Sequence, residues 1–377
     1  MNTALIARKQ VFFPHLDALR FFAFMSVFLS HSFVRKNPDI LPSPVYQFVT
    51  LFRNSGHLGV NFFFVLSGFL ITYLLLEERD HFQKIHLREF YLRRILRIFP
   101  LYYAVVAVGF FLIPLLNSSP ELIPNADIRY YLVFAGNFDT INRGLPSRVL
   151  GVLWSIAVEE QFYLVWPVLL AVFPPRYYTR IFSCILFSSL VYRAARQHEF
   201  LPLAFGTLSV ISDMAVGALL AYKSRSDQRF RSWLSNLSKV RISLIYLSGI
   251  CLILMRHDLI GHHPALVILE RVVLSIFFAF IIAEQNWAQN SPVKFSSIKG
   301  LSSLGKITYG LYCLHFIGIL CATQVANRLH LEDTWWRLIF FDTTLGLGAS
   351  LLIAALSYRF YERPFLKMKK RFGFLKR

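Results

Sequence analysis

The first long apolar run of the sequence holds ionisable side chains at a spacing that suits chemistry inside a membrane. Arg20 and His31 are eleven residues apart, and eleven steps of about 100° bring both to one helix face, roughly 16 Å apart along the axis. Asp17 lies about 40° from that face. An imidazole in this setting can act as a general base or carry an acyl group, and the guanidinium can bind an anion. The alternatives are snorkelling of Arg20 to lipid headgroups and a structural hydrogen bond of His31.

A group of arginines begins the third apolar run. Arg94 and Arg97 share a helix face, Arg93 and Arg97 are four residues apart, and Pro100 follows, where we expect the helix to break at the membrane surface. Three guanidiniums at the cytoplasmic boundary suit bidentate binding of a phosphorylated ligand. Anchoring to lipid phosphates under the positive-inside rule is the alternative.

The fourth apolar run opens with polar side chains that cannot all face lipid. Ser155 and Glu159 are four residues apart on one helix face, Glu160 follows directly, and Trp154 comes first. A carboxylate in an apolar run needs a cation or a hydrogen bond within the bundle. From the depth of each residue along its helix, we expect Glu159 to lie close to His31 and to orient its imidazole.

Two other runs carry further polar residues. In the ninth run, Tyr312 and His315 are three residues apart, a spacing that serves a structural pair as well as a catalytic one. The second run contains Ser67 together with the small residues Gly59 and Gly68. These permit close helix packing, or an interruption of the helix beside a cavity.

Ten apolar runs must position these residues. The 377 residues are 55% hydrophobic and only 16% charged, whereas soluble chains carry about 25% charged residues, so a soluble globular enzyme and a disordered protein are excluded. A helix needs about 20 residues to cross ~30 Å of hydrocarbon. We therefore predict an all-α polytopic membrane protein with about ten transmembrane helices. The runs cover residues 16–34, 57–77, 97–116, 151–173, 180–195, 205–222, 241–256, 270–286, 307–326 and 336–356.

The net charge of +19 has two readings, nucleic-acid binding or cationic membrane loops. With the N-terminus inside, 28 of the 40 lysines and arginines fall on the cytoplasmic side, eight of them in a basic tail at 357–377. This bias predicts that both termini are cytoplasmic and makes nucleic acid an unnecessary partner. The first helix, preceded by a short basic arm, lacks a signal-peptide cleavage site. The four cysteines lack metal-ligand spacing, so no metal site is expected.

Five sequence blocks resemble, in their order along the chain, the signatures of acyltransferase family three. These are the integral membrane enzymes that O-acylate bacterial surface polysaccharides and some small molecules. The resemblance implies an acyl-CoA donor, usually acetyl-CoA. It also implies a functional arginine and histidine in the first helix, Arg20 and His31, and a functional arginine pair matching Arg94 and Arg97. The blocks are Leu16–Arg20 with His31, Gly59–Ile71, Arg93–Tyr102, Trp154–Tyr163 and Tyr361–Phe365.

The sequence departs from this family's pattern at two points. Asn61 stands where the family commonly has an aspartate, which puts in doubt any role that needs a charge there. Many relatives add an extracytoplasmic hydrolase-like domain. We expect residues 1–377 to form a single membrane-embedded domain without an appended soluble domain.

We therefore expect a multi-pass enzyme of the bacterial inner membrane that moves an acetyl group from cytoplasmic acetyl-CoA, or another acyl-CoA, to a hydroxyl of an envelope glycan such as lipopolysaccharide O-antigen or exopolysaccharide. One alternative is a lipid-linked or small-molecule acceptor acylated from the cytoplasmic side, and another is a proton-coupled transporter. The oligomeric state is not predicted. The expected roles are catalysis for His31 and Glu159, donor binding for Arg20, Arg93, Arg94 and Arg97, and support or acceptor binding for Asp17, Asn61, Ser67, Trp154, Ser155, Glu160, Tyr312 and His315.

Overall fold

The computed structural model describes residues 13–32, 56–116, 124–260, 263–298, 300–329 and 335–372. Within these ranges the chain is helical and contains no strand, as the sequence predicts. The predicted N-terminal arm and the last five residues of the basic tail lie outside the described residues.

Long helices form the bundle, and short helices connect them on either side. Two of the long helices continue through a π-helical segment, α3 through Val108–Leu112 and α16 through Ser357–Glu362. The helices are α1 Pro14–Ser32, α2 His57–Phe82, α3 Leu87–Ala107, α4 Ile128–Leu132, α5 Gly136–Arg143, α6 Arg148–Gly151, α7 Leu153–Val172, α8 Tyr178–Ala195, α9 Phe200–Phe205, α10 Thr207–Ser226, α11 Gln228–Ser235, α12 Lys239–Ile260, α13 Pro264–Trp287, α14 Leu301–Lys306, α15 Thr308–Arg328, α16 Trp335–Leu356 and α17 Arg363–Lys369.

Each of the ten predicted runs contains a helix, but fewer have the composition of a membrane span. Among the described residues, seven helical segments are long and apolar enough to cross a membrane. An eighth is added if α11 and α12, bent by 93° at their junction, count as one span. The first predicted run falls short because Asp17, Arg20 and His31 lower the mean hydropathy of α1, and the fifth because α8 carries two arginines. The predicted number of about ten is therefore not confirmed, and the orientation of the termini stays a prediction.

Helix α2 lies at the centre of the bundle and packs against its neighbours through glycines. A Cβ atom on Gly68 would stand 2.1 Å from a backbone oxygen of α10, and one on Gly217 of α10 would stand 2.0 Å from a backbone oxygen of α2. Gly59 approaches α1 in the same way, 2.3 Å from the carbonyl oxygen of Ala23. The close helix packing predicted for the second run is confirmed, because no side chain larger than hydrogen fits at these contacts.

Helix α3 does not break at Pro100, contrary to the prediction. It continues through the proline to Ala107. Prolines are tolerated within membrane helices. Close to this one, the hydroxyl of Tyr309 donates to the carbonyl of Ile98 at 2.8 Å. The hydroxyl of Tyr361 likewise donates to the carbonyl of Pro100 at 3.0 Å. These bonds hold α15 and the end of α16 against the arginine-bearing turn of α3.

A buried ion pair on the other side of α2 links α10 to α13. The Nη2 atom of Arg271 lies 2.7 Å from a carboxylate oxygen of Asp213, and Ser275 donates to the second carboxylate oxygen at 2.7 Å. Arg193 of α8 bonds the same two helices: its guanidinium donates to the Ser209 hydroxyl of α10 at 2.9 Å and to the carbonyls of Val267 and Ile268 of α13 at 2.6 and 3.0 Å. The ion pair and these hydrogen bonds hold α8, α10 and α13 together.

Candidate active site

A cavity of about 270 Å³ lies between α1, α2, α3, α7 and α15. Its walls are largely apolar, built from aliphatic and phenylalanine side chains of α2 and from isoleucines of α3 and α7. The polar side chains concentrate in two groups, one cationic and one of hydroxyls with a single carboxylate. The polar and charged lining residues are Arg20, Arg94, Arg97, Lys369, Ser67, Ser155, Glu159, Tyr163, Thr308, Tyr309 and Tyr312.

The cationic group consists of Arg20 of α1, Arg94 and Arg97 of α3, and Lys369 of α17. Arg20 of α1 forms an ion pair with Asp17, one turn before it on the same helix. The Arg94 guanidinium lies 5.0 Å from the centre of the Tyr163 ring. Within the described ranges, Arg94 and Arg97 form no ion pair with a carboxylate. The structure thus brings together Arg20, Arg94 and Arg97 with an excess of positive charge, an arrangement that attracts an anion.

Arg93, expected to bind the donor, turns away from the cavity. Its guanidinium lies 3.4 Å from a carboxylate oxygen of Glu78 and donates to the carbonyl of Phe372 at 2.9 Å. Glu78 also accepts hydrogen bonds from the backbone and the ring of His86, which precedes α3. Arg93 therefore links α3 to α2 and to the backbone that follows α17, and it does not line this cavity. Its expected contact with the donor stays a prediction.

Glu159 lies on the cavity wall, but it does not contact His31. Its carboxylate accepts a hydrogen bond from Ser67, and the Ser67 hydroxyl also lies 2.9 Å from that of Tyr163. The expectation that Glu159 orients His31 is wrong, because the side chain faces the cavity, where Ser67 holds it. Its carboxylate is the one acidic group among the described lining residues.

The Ser155 and Tyr312 hydroxyls meet at the end of the cavity nearest His315. Their oxygens are 2.6 Å apart, and the Ser155 hydroxyl donates to the carbonyl of Val152 at 3.1 Å. The Tyr312 hydroxyl also lies 3.5 Å from that carbonyl, so either hydroxyl can donate in the bond between Ser155 and Tyr312. The predicted common face of Ser155 and Glu159 is confirmed, since both line the cavity.

The partner of His31 is His315. The Nδ1 atom of His31 lies 2.8 Å from Nε2 of His315, and Nδ1 of His315 lies 2.8 Å from the carbonyl oxygen of Tyr312. A carbonyl only accepts, so Nδ1 of His315 carries a proton, and in the neutral ring Nε2 is then an acceptor. His31 must donate from its own Nδ1, which leaves the lone pair of His31 at Nε2. The two hydrogen bonds therefore fix the tautomers of both rings.

Aromatic side chains enclose the histidine pair. The His315 ring is fully buried, and its centre is 5.9 Å from that of Phe24 and 4.8 Å from that of Phe316. The centre of the His31 ring is 4.5 Å from that of Phe316. These contacts restrict the orientations of both imidazoles.

Four other predicted site residues do not line the cavity. Asp17 pairs with Arg20, and Trp154 packs its ring against Phe64 and Phe205, with ring centres 6.0 and 4.9 Å away. Asn61 and Glu160 are set inside the bundle, each with a buried side-chain oxygen that lacks a hydrogen-bond partner among the described residues. Of these four residues, Asp17 and Trp154 contact residues that line the cavity, Arg20 and Phe64 respectively.

The cavity also contains polar residues that sequence reasoning missed. Tyr163 is four residues after Glu159 on the same helix, so the helical period that grouped Ser155 with Glu159 would have found it. Thr308 and Tyr309 precede Tyr312 by one turn. Lys369 carried no distinguishing signal, because it is one of several cations in the basic tail.

Comparisons with known proteins give a family and several relatives of the chain. A family model described as an acyltransferase domain matches residues 13–359. The chain is 28% identical to the peptidoglycan O-acetyltransferase OatA of Listeria monocytogenes, over 97% of this chain and 57% of that protein. It is also 28% identical to the O-acetyltransferase OatA of Staphylococcus aureus, over 97% of this chain and 59% of that protein. The chain thus spans less than three-fifths of the length of these relatives. No solved structure matches it.

Proposed function

Because the chain belongs to the acyltransferase family whose model matches residues 13–359, we propose that it is an O-acetyltransferase of the bacterial inner (cytoplasmic) membrane. Membership of the family confirms the resemblance of the five sequence blocks. In the proposed reaction an acetyl group moves from cytoplasmic acyl-CoA to a hydroxyl of an envelope glycan. The observation that carries the proposal is that α1 places Arg20 in a cationic cavity and His31 against His315.

The cationic group of the cavity suits the phosphates of the donor. Coenzyme A carries a diphosphate and a further phosphate on its ribose, and guanidiniums bind such groups with paired hydrogen bonds. Arg94 and Arg97 have no carboxylate partner within the described ranges, so their charge is available to a ligand. The apolar walls formed by Val60, Phe63 and Ile156 suit the pantetheine arm.

The separation of Arg20 and His31 along α1 matches the reach of the pantetheine arm of the donor. Arg20 and His31 are eleven residues apart, which is roughly 16 Å along a helix. An extended pantetheine arm has a comparable reach. A donor whose phosphates lie at the arginines therefore presents its thioester near the histidine pair, beyond the Ser155–Tyr312 end of the cavity.

His31 can activate the acceptor through its free Nε2 lone pair. In this step Nε2 takes the proton of the acceptor hydroxyl while the hydroxyl oxygen attacks the thioester carbonyl carbon. The tetrahedral intermediate then expels the coenzyme A thiolate, and His31 returns its proton to that sulfur. Throughout, His315 accepts the hydrogen bond from Nδ1 of His31 and so keeps the ring in the tautomer that the step requires.

A covalent variant uses the same lone pair. Nε2 of His31 would attack the thioester carbon, release the thiolate and form an acyl-imidazole, which the acceptor hydroxyl then consumes. Rapid quenching of enzyme with radiolabelled acetyl-CoA, in the absence of acceptor, separates the two routes. Label bound to His31 supports the covalent route. The general-base route is supported if His31 carries no label in a preparation that transfers the acetyl group once acceptor is added.

The proposed acceptor is a glycan at the outer face. Its support is the position of His31 at the end of α1 opposite to the cationic group, together with the relatives, one of which is named as a peptidoglycan O-acetyltransferase. Lipopolysaccharide O-antigen and exopolysaccharide are the other glycan acceptors that we propose. Family membership favours acyl transfer over the proton-coupled transporter.

The test compares glycans from cells that express the wild type or His31→Ala, by mass spectrometry. We expect the acetyl mass in the wild type and its loss in the variant, because removal of a general base costs about 10²–10⁴-fold in rate. Binding of coenzyme A to the purified proteins should be equal, since His31 does not line the cavity. Full acetylation in the His31→Ala cells would refute the proposed function, and acetylated precursor inside the cells would move the reaction to the cytoplasmic side.

A further inference from the structure

The end of the described chain forms part of the cationic cavity. After the π-helical segment that follows α16, α17 packs against α3, and the carbonyl of Phe372 accepts a hydrogen bond from Arg93 at 2.9 Å. This places Lys369, the last residue of α17, on the cavity wall together with Arg20, Arg94 and Arg97. One part of the cavity wall therefore comes from a segment that the sequence presents only as a basic tail.

Lys369 lacks a counter-charge. In the part of the chain that the structure describes, its ammonium group donates no hydrogen bond and forms no ion pair. Its charged neighbours on the cavity wall are three arginines, and the carboxylate that lines the same cavity, Glu159, is held by Ser67. Arg20 has Asp17 as its counter-charge, but Arg94, Arg97 and Lys369 form no ion pair among the described residues. Their like charges repel each other, and a ligand with several negative charges removes that repulsion.

We propose that Lys369 is a phosphate-binding residue and that α17 brings it to the donor site as a fourth cation. The inference rests on the proposed function, because it assigns one more contact to the same donor. Lysine binds phosphate as a compact point charge, complementing the bidentate geometry of the arginines. The ligand class is a phosphate ester or diphosphate. This chemistry is shared by coenzyme A and by the headgroup of an anionic lipid at the cytoplasmic surface.

The neighbouring Lys367 provides a matched control. It lies on the same short helix, about 200° around the axis from Lys369, and its side chain is exposed. Lys367→Ala therefore removes an equal charge from the same segment without touching the cavity. Lys369→Arg keeps a cation at the position and shows whether charge alone is required.

The test measures ligand binding to the full-length protein in nanodiscs of neutral lipid. For coenzyme A, we expect Lys369→Ala to weaken binding by about tenfold or more, whereas Lys369→Arg and Lys367→Ala stay within about threefold of the wild type. Pantetheine, which lacks phosphates, should bind all four proteins equally, which also shows that the variants are folded. Coenzyme A binding that is equal in Lys369→Ala and Lys367→Ala would overturn the inference and leave the proposed function standing.

The source of the phosphate is distinguished in a second set of nanodiscs that contain phosphatidylglycerol. If the wild type binds no coenzyme A but retains phosphatidylglycerol in a manner that Lys369→Ala abolishes, the phosphate site stands, with a lipid as its ligand, and the proposed function fails. If phosphatidylglycerol competes with coenzyme A in the wild type, one site takes both. Retention of phosphatidylglycerol that does not depend on Lys369 rules out the lipid as the ligand of this residue, and the inference is overturned if coenzyme A binding does not depend on Lys369 either.

Discussion

Replacing His315 tests whether a hydrogen bond fixes the reactive nitrogen of His31. The acceptor at Nε2 of His315 lies 2.8 Å from Nδ1 of His31, and it leaves the His31 lone pair at Nε2. Without that acceptor, the proton is free to move to Nε2, where it blocks general-base catalysis. We expect His315→Ala to lower kcat by about 10²–10⁴-fold, or about 3–5 kcal/mol in the activation free energy.

Two amide substitutions at position 315, His315→Gln and His315→Asn, separate the effect of the His31 tautomer from the effect of losing the His315 ring. Glutamine carries its amide about where Nε2 stands, so its oxygen can accept from Nδ1 of His31. Asparagine is one methylene shorter and reaches the carbonyl of Tyr312 instead. We therefore expect His315→Gln to recover at least tenfold of the rate lost in His315→Ala, on the scale of a single charge-assisted hydrogen bond, and His315→Asn to recover little.

The assay is acetyl transfer by purified protein, with kcat and KM determined separately for acetyl-CoA. The KM should stay constant, because His315 does not line the cavity. Nitrogen NMR of histidine-labelled protein then reports whether Nδ1 or Nε2 of His31 carries the proton. Equal rates in His315→Gln and His315→Asn, or a His31 proton at Nε2 in the wild type, would refute the tautomer reasoning.

Two further predictions concern stability, measured as the free energy of unfolding in mixed detergent micelles. Gly217→Ala should destabilise the protein by about 1–3 kcal/mol, because its Cβ would lie 2.0 Å from a backbone oxygen of α2, whereas Gly348→Ala, with nothing within 4 Å, should be neutral or stabilising. Asp213→Ala should cost about 3–5 kcal/mol by stranding the buried Arg271. Arg196→Ala, which breaks an exposed ion pair with Glu199, should cost less than about 1 kcal/mol. Equal losses in Asp213→Ala and Arg196→Ala would contradict the structural role of the buried pair between Asp213 and Arg271.

The sequence predicts the parts of this site that depend on a single helix. The helical period places Ser155 and Glu159 on one face, and both line the cavity. It also relates Arg94 to Arg97, and the apolar run that follows them predicts that they lie at the start of a membrane helix. These predictions succeed because the geometry within a helix is set by local hydrogen bonds and does not depend on the rest of the fold.

The sequence does not predict which helices meet. Depth along α1 and α7 suggested that Glu159 contacts His31, but depth says nothing about the direction in which each side chain points within the bundle. The residue that meets His31 is instead His315, 284 positions away in the chain. Lys369 was missed for a related reason. It belongs to a continuous helical stretch, Thr343–Lys369, and it reaches the cavity because α17 packs against α3, a contact that no period of the sequence records.

The distance between Arg20 and His31 is set by helix α1 and by the contact that holds α1 against α2. Arg20 and His31 both belong to α1, so their separation along the axis cannot change unless that helix bends or unwinds. Gly59 of α2 contacts α1 between them, where a Cβ atom would stand 2.3 Å from the carbonyl oxygen of Ala23 and 2.7 Å from the Val27 side chain. A larger residue at Gly59 would push α1 away from α2 between Arg20 and His31. In the proposed reaction this would separate the cationic cavity from the contact between His31 and His315, so we expect acetyl transfer to require the small residue in the second run.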